Sequence, residues 1–216
     1  MKAFVPVCLY SKGFFLVKKN VLKFLRDNTN YEEILFVIVD KLYGNNLLIK
    51  EKVRTKEEAK IAYEKRGTDL LNLVQKGIRE FTSSYPTSTK YIIKRWNEIA
   101  DTEEYINLKQ KVISVFEQNA SLNSYCKEFI DDNLKKLTRR ITPEKEELEH
   151  DYLFSEIAMS IYLPEFCGYN YEIWEKKPDK ALPDPILILY QNEKESLNII
   201  LDGKDNKRQQ MYINIE

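Results

Sequence analysis

Two long apolar runs lack any alternation with polar positions: residues 3–10 (Ala-Phe-Val-Pro-Val-Cys-Leu-Tyr) and residues 34–39 (Ile-Leu-Phe-Val-Ile-Val). Such runs suit strands of a parallel sheet covered on both faces. Between them, residues 14–25 carry apolar positions at helical spacing with lysines interspersed, and residues 28–31 supply a turn. Thr55 with Glu58 forms a capping box that opens a long helix running to about Phe81, closed by the polar loop 82–89. Residues 91–93 read as a third strand, and residues 102–138 as two helices split near 119–121. Pro143 opens a further helix. In the tail, residues 171–174, 186–190 and 197–201 are predicted strands, the last ending at an Asp202-Gly203 turn. The order of elements predicts an α/β fold, one domain over residues 1–216, with a mostly parallel sheet flanked by helices on both faces.

Composition narrows the class. With 43% hydrophobic and 31% charged residues, and only 6 glycines and 7 prolines, the chain reads as a soluble globular protein without a long disordered segment. Its 34 basic and 34 acidic residues balance, so any polyanion binding must come from where the charges sit. Cys8, Cys126 and Cys167 form no C-x-x-C pair and His150 is the single histidine, so no metal is expected. No apolar run approaches the roughly 18 residues that suggest a membrane span, and the N-terminus lacks a signal-peptide pattern. No membrane partner is expected, and the expected compartment is the cytoplasm.

Candidate chemistry gathers at three places. Ser11 closes the first apolar run, and a serine hydroxyl becomes a useful nucleophile only when something else activates it or positions its substrate. Tyr152 and Glu156, four apart on the helix opened by Pro143, project from one face and are the best candidate partners. An amphipathic face with one solvated acid is the other reading of that pair. Asp40 closes the second run, where open α/β sheets bind ligands, and a helix cap explains it equally well. The chain has no G-x-x-x-x-G-K-[ST] phosphate loop and no G-x-G-x-x-G, so no nucleotide cofactor is expected.

These pieces, in this order, resemble the tRNA-dependent cyclodipeptide synthases, a family with a Rossmann-like domain similar to the catalytic domain of class I aminoacyl-tRNA synthetases. The resemblance rests on Ser11 after the first strand, on Val39-Asp40 followed by Leu42-Tyr43-Gly44-Asn45-Asn46-Leu47, and on the basic helix containing residues 59–67. It continues through Trp96, Tyr105 and Phe116 and ends at Tyr152, Glu156, Pro164 and Gly168, so it covers about residues 4–178.

The resemblance implies a Rossmann-like fold and an aminoacyltransferase that uses two aminoacyl-tRNAs, without ATP or other cofactor, as a monomer or homodimer. Ser11 would carry the first aminoacyl group as an ester. Glu156 would hold its ammonium, and Tyr152 would hydrogen-bond it or relay a proton. Phe14, Asp40 and Trp174 would contribute to the substrate pocket, and Lys60, Lys65, Arg66, Lys76 and Arg79 to a tRNA-binding stripe interleaved with acids. Phe14 suggests a hydrophobic aminoacyl group.

Departures from the family pattern are Leu9 in place of Gly, Lys12 in place of Pro, Phe14 in place of one branch's Asn, and Ala158 in place of Pro. The family's late Tyr-His or Tyr-Pro pair finds no match near Lys176, where Trp174 is the nearest aromatic. A non-catalytic tRNA-binding module on the same scaffold is the alternative reading. A serine esterase is disfavoured, because no G-x-S-x-G elbow is present.

Overall fold

The computed structural model describes residues 1–9, 15, 18–174 and 185–212. Strands β1 (Lys2–Cys8), β2 (Glu33–Val39), β3 (Lys90–Arg95), β4 (Tyr171–Trp174) and β5 (Gln209–Tyr212) form one sheet in the order β3-β2-β1-β4-β5. Every pairing among them is parallel. Helices α1 (Lys18–Asp27), α2 (Lys41–Ile49), α3 (Lys56–Ser84), α4 (Asn97–Ala100), α5 (Glu103–Gln118), α6 (Ala120–Leu137), α7 (Pro143–Cys167), α8 (Pro185–Asn192) and α9 (Lys194–Ile200) complete the described chain.

All seven residues of β2 are buried, as an unbroken apolar run requires. Its alternate side chains enter two cores. Ile34, Phe36 and Ile38 pack with Val21 and Phe24 of α1 and Leu70 and Val74 of α3, while Leu35, Val37 and Val39 pack with Leu42 of α2 and Ala158, Met159 and Leu163 of α7. The second half of α7, from Leu153 to Pro164, is buried nearly all round because its other side meets a third core built on α5, α6, α8 and α9. Thr55 caps α3 as its sequence predicts, its hydroxyl accepting the Glu58 N–H at 3.1 Å.

The expected strands at 186–190 and 197–201 are helices α8 and α9. Pro185 opens α8, and Ile186 and Leu189, with Leu197, Ile200 and Leu201, recur at three- and four-residue spacing and bury in the helical core. A short apolar run does not separate a buried strand from a buried helix, and here packing into the helical core decides. The fifth strand comes later, in the Gln-Gln-Met-Tyr segment that pairs with β4.

Pro6 shapes the centre of the sheet. Strand β1 pairs with β2 along its whole length, to Cys8–Val39, but with β4 only at Ala3–Tyr171 and Phe4–Glu172. Proline has no N–H to give a ladder, so pairing on the β4 side stops just before it. The sheet therefore opens at the carboxyl end of β1, the point where strand order reverses and open α/β sheets hold ligands.

At the opposite end, the buried Glu33 accepts the Tyr169 hydroxyl at 2.7 Å and pairs with Lys90 at 2.9 Å and Lys2 at 3.4 Å. The Lys90 contact, then that of Tyr169, outweigh burial and hold its carboxyl at about 2, against an ordinary value of 4.5. A depressed folded-state value stabilises the protein above the unfolded value and loses that stabilisation as pH falls. Thermal melts should therefore show a loss between about pH 4.5 and pH 2 that is smaller in Glu33→Gln.

Candidate active site

Three elements meet at the open end of β1. Cys8 and Leu9 leave the strand, Val39 ends β2, and α2 starts at once because Asp40 caps it, its carboxylate accepting the Lys41 N–H at 2.9 Å. Cys8, Leu9, Val39, Tyr43 and Asn46 line a narrow cleft whose last wall is Tyr152 of α7. Tyr152 donates its hydroxyl to Glu156 Oε1 at 2.8 Å, and both residues are half-buried. The four-residue spacing thus produces a bonded pair, and its tyrosine lines the cleft beside Cys8 and Leu9.

Ser11 and Phe14 lie outside the described residues. Trp174 is the last residue of β4, in register with Tyr212. Asp40 is 1% exposed, and its Oδ2 lies 2.5 Å from both Nε and Nη2 of Arg95 at the end of β3. Gly67 of α3 lies against this pair: a Cβ there would sit 2.6 Å from Asp40 Oδ2.

His150 is turned away from the pair, packed on the Phe154 ring at 4.5 Å, and burial lowers its basicity. Asp151 and Asn45 stand between two cavities of about 440 and 290 Å³ beside α2. Burial disfavours the Asp151 charge, but a 2.5 Å bond from Lys109 and a 3.1 Å bond from Asn45 hold its carboxyl below the usual range. Among the described residues no cluster of His, Cys, Asp and Glu is arranged to hold a metal ion, and no helix is long and apolar enough to cross a membrane.

No family model matches the chain, and no curated protein matches it. Solved structures do. A cyclodipeptide synthase from Fluoribacter dumoffii superimposes with a TM-score of 0.68 at 18% identity, over 98% of this chain and 88% of that one. One from Streptomyces noursei gives 0.65 at 15%, over 100% and 95%. A Mycobacterium tuberculosis protein, whose structure relates cyclodipeptide synthetases to type I tRNA synthetases, gives 0.66 at 14%, over 97% and 84%. This chain has the cyclodipeptide-synthase fold.

On the cyclodipeptide-synthase scaffold the five basic residues of α3 do not form one stripe. All are exposed, but Lys65, Lys76 and Arg79 lie opposite the buried face of the helix, while Lys60 and Arg66 flank it on its two sides. Arg66 is the one tied to the cleft: its guanidinium bonds the Tyr43 hydroxyl and lies 5.2 Å from that ring. Lys60 lines the larger cavity. Tyr43 and Asn46 were not singled out from the sequence as site residues. Their signal was position, three and six residues after the strand-ending Asp40, which puts both within the first turns of a helix that starts at the sheet's carboxyl edge.

Proposed function

We propose that this protein joins two aminoacyl groups delivered by tRNA into a cyclic dipeptide. The observation that carries the reading is the hydrogen-bonded Tyr152–Glu156 pair, whose tyrosine lines the cleft at the open end of β1, in a fold shared with cyclodipeptide synthases. In the proposed reaction Ser11 Oγ attacks the ester carbonyl of the first aminoacyl-tRNA, and the tRNA 3′ oxygen leaves with a proton. The amine of the serine-bound aminoacyl group then attacks the second ester, forming a peptide bond and releasing the second tRNA. The new N-terminal amine finally attacks the Ser11 ester, closing the diketopiperazine and returning the serine hydroxyl. The esters carry the energy, so the scheme needs no ATP.

Each amine must lose a proton to attack. Glu156, as a carboxylate, holds the ammonium and receives that proton, and Tyr152 orients the carboxylate or relays the proton. Phe14 and Trp174 frame an apolar aminoacyl pocket, and Asp40 acts there through Arg95, which fixes the ends of β2 and β3. Lys60, Lys65, Arg66, Lys76 and Arg79 contact the tRNA phosphates, Arg66 nearest the cleft.

Expression in bacteria, with mass spectrometry of the culture medium, tests the proposal. A new diketopiperazine is expected that disappears in Ser11→Ala. A soluble, folded protein that yields none would overturn cyclodipeptide synthesis in favour of an RNA-binding scaffold.

A further inference from the structure

We propose that the outward face of α1, with the groove between α1 and the end of α3, docks an RNA phosphate backbone. The RNA is the one that delivers the aminoacyl group, so the inference rests on the function proposed above. Helix α1 buries Val21, Phe24 and Leu25. Lys19, Lys23 and Arg26 recur at four- and three-residue spacing on the opposite side, which makes the outer face a row of cations about 10 Å long. A nucleic-acid strand presents a charge roughly every 3.4 Å along its axis.

The neighbouring helix closes the groove. Val21 lies so close to Gly77 of α3 that a Cβ there would sit 2.5 Å from its Cγ1, which packs the two helices together and makes Glu80, Phe81, Ser84 and Tyr85 the far wall of the groove. Lys18 pairs with Glu80, and Arg26 stands 3.7 Å from Asp27. Lys18, Lys19, Lys23 and Arg26 against these two acids leave a formal excess of two positive charges here, on a chain whose formal net charge is zero.

The groove has a volume of about 550 Å³. At its α3 end Tyr85 is 53% exposed and stacks on Phe81 with centroids 5.3 Å apart. Cations beside an exposed ring suit a nucleic-acid strand, phosphates on the cations and a base on the ring. An acidic membrane surface is the poorer match, because the apolar side of α1, Val21, Phe24 and Leu25, is spent on the core rather than presented to lipids.

The test uses the whole protein, a labelled RNA hairpin with a single-stranded 3′ end, and phosphatidylserine vesicles. For K19Q/K23Q/R26Q the slope of log affinity against log salt should flatten by about 2, and binding at low salt should fall tenfold or more. Lys19→Glu with Arg26→Glu, both exposed positions, repeats the measurement should the triple variant melt early. An unchanged slope in both variants, or vesicle binding lost while RNA binding persists, overturns the proposal. A flattened slope in a protein that makes no diketopiperazine would keep the RNA surface and remove the synthase. Ser11-dependent product with an unchanged slope would do the reverse.

Discussion

Glu156→Gln should slow cyclic dipeptide formation by about two to four orders of magnitude, the range over which a positioned acid–base group acts. Glutamine keeps the length of the side chain and an oxygen for the Tyr152 hydroxyl, so the 2.8 Å contact and the half-buried setting survive. What disappears is the negative charge, and with it the site that holds an ammonium and takes its proton. Tyr152→Phe should cost less, about tenfold, because it removes one hydrogen bond and leaves the carboxylate in place. Single-turnover rates with aminoacyl-tRNA, on variants whose melting points match the parent, make the comparison. A Glu156→Gln enzyme within threefold of the parent would remove the carboxylate from the chemistry.

The parts of this site that could be read from the sequence are those encoded locally. Tyr152 and Glu156 meet because a helix brings residues four apart together, and the unbroken, β-branched-rich runs of β1 and β2, bounded by turn residues, suit buried parallel strands. The capping box at Thr55 and Glu58 fixed the start of α3 in the same way. Illegible were features that need the fold first. Arg95 reaches Asp40 across 55 positions, and no local pattern marks that pairing. Segments 186–190 and 197–201 are too short for period alone to choose between strand and helix. Strand β5 begins with two glutamines at the sheet edge, where little apolar signal is needed. The resemblance of ordered landmarks anticipated a fold that pairwise identity of 14–18% leaves invisible to sequence matching. Ordered landmarks survive because they sit where strands end and helices begin, and the fold dictates those junctions.

Asp40→Ala should destabilise the protein by about 3–5 kcal/mol, the cost of removing one partner from a buried, hydrogen-bonded ion pair. Three losses coincide at that carboxylate. The α2 cap to the Lys41 N–H goes, Arg95 keeps a guanidinium only 24% exposed without its counter-charge, and the ends of β2 and β3 lose their cross-link. Asp40→Asn retains an oxygen for the cap and should cost less than the alanine variant. Gly67→Ala attacks the same pair from the other side, since its methyl would overlap Asp40 Oδ2 with only 2.6 Å between them. Urea unfolding orders the three variants, and a cost below 1 kcal/mol for Asp40→Ala would mean that the pair does not hold the sheet's carboxyl edge. Activity then separates the two roles open to Asp40. If the carboxylate serves through Arg95 alone, folded Asp40→Asn protein keeps the parent's KM and loses only stability; if it touches substrate, KM rises in protein that is otherwise intact.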